Sequence, residues 1–311
     1  MDSSYVDAGW PRQRLTVVPP PAWPLPFTEH AWLLLSGDQI PSLAEDIRSL
    51  CAPGQYHWVW RGTAEEYAGP GYQAGPLLAR LNEALLARFL DIWGPQQQGS
   101  LLASHQDVLA LLGALKHARH LRASDGNTLV FQWSRLRKLE ELCEALPHQQ
   151  LLQLLSPLQR LIWHSGLGRD SWLQLTLDDS SPLPLPQATI LNLTQTDESA
   201  LNSAGHAWFL RHACHAMEHH LKAMDVPFDP LDLRRQLADF DREAGYCGFH
   251  LEGERRYYMQ LRLLFPEQPF VKDRPLYNLL LDTGTQGQQR LMDINDRLLA
   301  ISSPITTRDQ Q

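Results

Sequence analysis

The stretch AWLLLSGDQIPSLAEDIRSLCAPGQYHWVWRG, Ala31 to Gly62, decides the fold class. Ala31-Trp32-Leu33-Leu34-Leu35 is a short unbroken apolar run closed by Ser36-Gly37-Asp38, the pattern of a buried strand. Ile40, Leu43, Ile47 and Leu50 then recur at helical spacing, and Pro41 is acceptable in a first turn. Tyr56 to Trp60 is aromatic and β-branched and stops at Arg61-Gly62, which predicts a second strand. Strand, helix and strand make a βα-β unit, for which parallel pairing is expected.

Toward the C-terminus the mixed pattern continues. Gly69-Pro70-Gly71 and Gly75-Pro76 mark a loop. Pro76 suits a helix start, Leu77, Leu81, Leu85 and Phe89 recur every four residues, and Gly94 is a fitting stop. A further helix is expected from Ser104, with Ser104 and Asp107 spaced as a capping box and Val108, Leu111, Leu112 and Leu115 as its inner stripe. Asp125-Gly126-Asn127 reads as a turn, Thr128 to Trp133 as a strand and Arg135 to Ala145 as a helix. Leu158 to Trp163 and Trp172 to Leu177 predict two more strands.

Three prolines between Ser180 and Pro186 predict a lobe boundary, with the next ordered element near Thr196. Beyond it the apolar period is helical. Ala207, Leu210, Cys214, Met217, Leu221 and Met224 share one face, and Asp229-Pro230 is an N-cap followed by a first-turn proline. Helices from about Glu252 to Phe265 and Thr285 to Leu299 complete the pattern. Before Ala31, Pro19-Pro20-Pro21 and Pro24-Leu25-Pro26 predict extended backbone. The expectation is an α/β protein: a Pro-rich arm over 1–27, a mixed α/β lobe over 28–180, a linker over 181–196 and an all-helical lobe over 197–311.

The composition narrows the partners. Of 311 residues, 43% are hydrophobic and 20% charged, which is globular rather than disordered. A net charge of −8 with no basic run offers no footprint for nucleic acid or an anionic membrane surface. No apolar stretch approaches the ~18 residues of a membrane span, and Met1 to Trp10 carries two Asp and no basic residue, unlike a secretion signal. Cys51, Cys143, Cys214 and Cys247 are scattered without a CxxC pair, as expected for a reducing, cytoplasmic location without structural zinc.

Motifs for chemistry are sparse. The sequence has no GxSxG, Walker-type, GxGxxG or HExxH pattern. His212, His215 and His219 fall within about 60° of one another on a helix, opposite the apolar stripe, and His220 adjoins them. No carboxylate or thiolate accompanies them on that face, so a solvated or partner-facing surface is expected rather than a metal site. Cys247 and His250 resemble a thiol and its base, but the surrounding glycines are explained by a tight connection between helices. Asp178-Asp179 would point to opposite faces of a strand. Trp10 and Trp23, outside the predicted elements, are expected to anchor the arm on its own body. No catalytic, cofactor-binding or metal-binding residue is assigned.

A set of short motifs resembles a known family. These are Ala31-Leu35, Tyr56-Trp60, Gly75-Pro76-Leu77-Leu78, Trp93-Gly94, Ser100-Leu101-Leu102-Ala103-Ser104 and Phe131-Gln132-Trp133. Together they resemble the bacterial type VI secretion adaptors, or effector chaperones, defined by the DUF4123 domain. Gln132 stands where that family usually has Arg, and Ser134-Arg135 where it has Asp-Pro; if the family's polar pair serves a turn, the turn here is built differently, and if it serves an interface, a different partner choice is implied. Tyr246-Cys247-Gly248-Phe249, Glu252 and Arg290-Leu291 are similar to the family's helical tail. The resemblance implies a cytoplasmic, non-enzymatic protein that binds a toxic effector and helps load it onto the valine-glycine-repeat spike protein. An immunity or other interaction protein on the same scaffold, or a metal-assisted enzyme, are the alternatives.

Overall fold

Leu33, Leu34 and Leu35 become a strand because neither side of the run meets water: all three are buried. The computed structural model describes residues 10, 12–27, 30–66, 71–118, 120–168, 170–177, 190–266, 270 and 273–302, and the chain forms two compact units. The first extends to Trp208; the second takes the chain from Phe209 onward together with Trp10.

The first unit holds, in chain order, β1 (Thr16–Val18), β2 (His30–Ser36), α1 (Leu43–Leu50), β3 (Tyr56–Trp58), β4 (Pro76–Arg80), α2 (Glu83–Arg88), β5 (Gly99–Ser104), α3 (Val108–His117), β6 (His120–Arg122), β7 (Thr128–Val130), α4 (Leu136–Ala145), α5 (His148–Leu155), β8 (Arg160–His164), β9 (Trp172–Thr176) and β10 (Leu191–Asn192). The large sheet runs β1-β9-β8-β5-β2-β4-β3 with every pairing antiparallel. Successive side chains go to opposite faces, so the sheet has two cores. Leu33, Leu35, Leu77, Ala79 and Leu101 pack with Leu43 and Ile47 of α1 and Leu85 and Leu86 of α2. Trp32, Leu34, Leu78, Leu102, Leu161 and Trp163 pack with α3, α4 and α5 through Leu111, Leu139 and Leu151. Each fully buried leucine contributes about 1.5–3 kcal/mol relative to exposure.

Several expectations are corrected. β2 and β3 do not pair; β4 lies between them, antiparallel to both, so the βα-β unit has no parallel ladder. Residues 76–80 are the strand β4 instead of a helix, because Leu77, Leu78 and Ala79 are buried on both faces and their spacing is no longer informative. The helix starts only at Glu83, where the Asn82 side chain caps the amide of Leu85 at 2.8 Å. Ser104 belongs to β5 and donates from its buried hydroxyl to Pro157 O at 2.9 Å; Asp107 alone caps α3, accepting from Ala110 N at 2.8 Å. The arm is also not wholly irregular. Thr16–Val18 is the edge strand β1, and the Gln13 and Leu15 amides donate to Glu144 of α4 at 2.6 and 3.1 Å.

A second sheet has the order β10-β6-β7. β10 follows the proline-rich stretch in sequence and pairs parallel with β6, so it belongs to the first unit. The two units divide at Trp208 and Phe209, inside α6 (Gln195–Ala223), rather than within 181–196. Residues 181–189 of the expected linker, Asp178-Asp179, Gly69-Pro70 and the N-terminus before Trp10 lie outside the described residues. α6 begins with a reciprocal capping box: Thr194 N and Oγ1 donate to Asp197 Oδ2 at 2.8 and 2.7 Å, and Asp197 N donates back to Thr194 Oγ1 at 3.2 Å. Burial pushes the Asp197 carboxyl up, but the bonds from Thr194 and Gln150 outweigh it and hold the group below the usual range. The ionised carboxylate therefore stabilises the folded state above the unfolded pKa, and this support is lost as pH falls through the folded value.

Among the described residues, every element after Asn192 is helical. In the second unit the later part of α6 is followed by α7 (Pro230–Tyr246), α8 (Glu252–Leu264), α9 (Arg274–Leu281) and α10 (Gly287–Ser302). Proline opens α7 and α9 behind the N-caps Asp229 and Asp273. Ala244, Phe249, Tyr258, Leu261, Leu276, Leu291, Ile294 and Leu298 form the core among α7 to α10. The fold is mixed α/β with a helical C-terminal part.

Candidate functional site

The residues around Phe131-Gln132-Trp133 build the best candidate surface. Phe131 and Trp133 are buried and meet edge to face with centroids 5.2 Å apart, and Trp133 Nε1 donates to Leu115 O at 3.2 Å. Gln132 between them is exposed. Its carbonyl accepts from Arg135 N at 2.9 Å and its Oε1 from Arg135 Nε at 3.2 Å, while Arg135 Nη2 pairs with Asp38 Oδ2 at 3.2 Å. Gln132 and Arg135 thus close this turn on each other.

This turn sits at the mouth of a groove of about 740 Å³. Its floor includes Leu121, Phe131, Leu142 and Leu193, with Leu129 and Val130 of β7 along one side. Leu129 and Val130 are 42% and 54% exposed, high for apolar residues of a strand. Arg135, Arg137, Lys138 and Glu141 also line the groove. Arg137 Nε and Lys138 Nζ each lie 2.7 Å from the Glu141 carboxylate, and the Arg137 guanidinium stacks 4.2 Å over Trp208. The groove thus joins an apolar floor to charged side chains that are ion-paired with Asp38 and Glu141. A smaller hollow of about 290 Å³ shares Phe131 and Gln132 with the groove and is lined also by Trp60, Lys116, His120 and Trp133. There Lys116 Nζ is engaged by Arg61 O at 3.0 Å.

The residues singled out for chemistry do not converge. His215 and His219 stack edge to face at 4.7 Å, and His219 is exposed. Burial, then the neighbouring His219 and Lys222, push the His215 imidazole down, toward its neutral form, while Glu218 opposes them. Among the described residues no three His, Cys, Asp or Glu side chains are grouped to hold a metal ion. Burial pushes the Cys247 thiol up, with Arg290 offsetting part of the effect, and His250 is exposed with its amide turned to Glu254 at 3.2 Å. Such a thiol is the reverse of an activated nucleophile. Burial raises Cys51 and Cys143 as well, and Cys214 is pushed up to about 12. Trp23 is 46% exposed, whereas the Trp10 carbonyl accepts from Arg211 Nη1 at 3.0 Å within the second unit.

The helical-tail motif instead converges on one structural residue. Gly248 takes φ +78° and turns the chain out of α7. Buried Arg290 of α10 then donates to Cys247 O and Asp282 O, both at 2.7 Å, and stacks 4.1 Å over Phe249.

Residues 31–153 match the family model described as a domain of unknown function, DUF4123. The DUF4123 match runs from β2 into α5 and so contains β6, β7 and α4, the principal walls of the groove. Leu193 and Leu201, which complete it, come from beyond the DUF4123 segment. No curated protein and no solved structure was found to match the chain. No helix among the described residues is long and apolar enough to cross a membrane.

The groove was not legible from sequence. Thr128 to Trp133 is readable as a strand, but its position at a sheet edge depends on pairing with β6 and on β10, which lies nearly 60 residues later. The visible signal was Leu129-Val130 directly after the Asp125-Gly126-Asn127 turn.

Proposed function

We propose that the protein is a cytoplasmic type VI secretion adaptor, which binds a toxic effector and helps load it onto the valine-glycine-repeat spike protein. It acts by binding rather than turnover. The observation that carries this reading is the DUF4123 match over residues 31–153. Its support is physical as well. The groove in that segment joins exposed apolar residues to a charged rim, the composition of a protein-binding surface. A binding partner that covers such a surface stabilises both components by mass action. The test is co-expression of the full chain with the product of the open reading frame next to its own gene. The expected result is a stoichiometric complex that survives gel filtration and keeps the effector soluble. An effector that stays soluble alone and elutes separately from the adaptor counts against the reading.

A further inference from the structure

The smaller hollow beside the groove has a chemistry of its own. It encloses about 290 Å³, the small end of the roughly 300–1,000 Å³ of ligand pockets, so it has room for one side chain rather than a stretch of chain. Its walls are apolar and fixed. Val59, Leu115, Phe131 and Trp133 are buried, Phe131 and Trp133 brace each other edge to face, and Trp133 Nε1 is committed to Leu115 O. Every lining residue lies in the first unit.

The polar groups lining the hollow divide into a paired acid and uncommitted donors. The Asp38 carboxylate is taken: it accepts from Arg135 Nη2 at 3.2 Å and from the Ser36 hydroxyl. Lys116 meets no carboxylate among the described residues. Its ammonium donates to Arg61 O at 3.0 Å, which leaves two of its three N–H donors unused. The His120 imidazole has no hydrogen-bond partner among the described residues. Gln132 has engaged its side-chain oxygen with Arg135 Nε, but not its amide N–H groups. The one charge at the hollow without a counter-charge, among the described residues, is therefore positive.

An apolar body that ends in an anion matches this pattern. The hollow also shares Phe131 and Gln132 with the groove, so a chain whose last residue fills the hollow runs back over the groove. We infer that the hollow holds the C-terminal residue of a partner polypeptide. The apolar last side chain packs against Phe131 and Trp133, and the α-carboxylate takes the free donors of Lys116 and Gln132. Capture of a chain terminus is a recurring recognition mode, and a charge-assisted bond is about twice as strong as a neutral one. The inference rests on the adaptor reading for the identity of the partner, the effector, and on the hollow alone for its chemistry.

The test uses the full chain and N-terminally labelled hexapeptides ending in leucine or phenylalanine, each made as the free acid and as the C-terminal amide. Anisotropy titration at low salt is expected to show binding of at least one acid and about tenfold weaker binding of its amide. Lys116→Met keeps most of the stem and removes the charge. It is expected to weaken the acid about tenfold and to leave the amide unchanged, whereas Lys116→Arg retains acid binding. No binding of either acid, equal binding of acid and amide, or acid binding unchanged in Lys116→Met overturns the inference. Binding of 3-phenylpropionate, lost in Lys116→Met, without binding of either peptide assigns the hollow to a free small acid and also overturns it. An effector complex with no peptide binding sinks the inference alone. Peptide binding with no effector complex sinks the adaptor reading alone.

Discussion

Replacing Arg290 by alanine is expected to lower the stability of the second unit by about 3 kcal/mol. Arg290 is 2% exposed, and its two 2.7 Å bonds join α10 to the end of α7 and to the segment after α9. Alanine leaves the carbonyls of Cys247 and Asp282 without their charged donor, opens a cavity beside Phe249 and removes the stacking contact at 4.1 Å. Each of these terms is about 1–3 kcal/mol, and they partly overlap. Arg290→Lys keeps a charge but not two diverging donors on one plane, so an intermediate loss is expected. Urea unfolding followed by circular dichroism, with limited proteolysis to locate the opened region, measures it. A midpoint unchanged in Arg290→Ala would remove the residue from this role.

Gly37→Ala is expected to destabilise the first unit by about 3 kcal/mol, through backbone overpacking rather than loss of a contact. A Cβ at Gly37 would lie 2.1 Å from Gln73 O and 2.5 Å from Gly75 O. Neither is the movable end of a side chain. Gly37 N also donates to Gly75 O at 3.1 Å, so the two strands' connections cannot separate without giving up that bond. For a unit of this size the melting temperature should fall by roughly 6–12 °C. Gly113→Ala is the matched control: no atom lies within 4 Å of its added Cβ, and it sits in α3, where alanine is the better helix former. Equal melting temperatures for Gly37→Ala and wild type would contradict the close approach.

The two substitutions illustrate what could be read before the fold was known. Arg290 and Tyr246-Cys247-Gly248-Phe249 stood out in the sequence as parts of a resemblance, but 43 residues separate Arg290 from Cys247 and only helix packing joins them. Strand β2, helices α1, α4, α7 and α8, and the turn at Asp125-Gly126-Asn127 were legible because local period and turn chemistry agree with burial. β4 was not. Leu77, Leu81 and Leu85 satisfy a helical period by chance, while Leu77-Leu78-Ala79 is apolar because the central strand is covered on both faces. A period cannot separate those cases in so short a run. The Ser104 and Asp107 pair shows the same limit. A capping pattern does form at Thr194 and Asp197, yet Ser104 lies within a central strand and its hydroxyl serves Pro157. The candidate site was the least legible part, since its edge strand, floor and rim come from β7, β10, α4 and α6.

In the function proposed above, this chain carries an effector to the secretion machinery. The most direct measurement is secretion of the product of the neighbouring open reading frame, the effector this proposal expects, followed by immunoblot of culture supernatant in three strains: parent, in-frame deletion of this gene, and deletion complemented with the full chain. The account predicts that the deletion loses that effector from the supernatant while the secreted tube protein is unchanged, and that the full chain restores it. Continued secretion of the effector at parental level in the deletion strain would contradict the account.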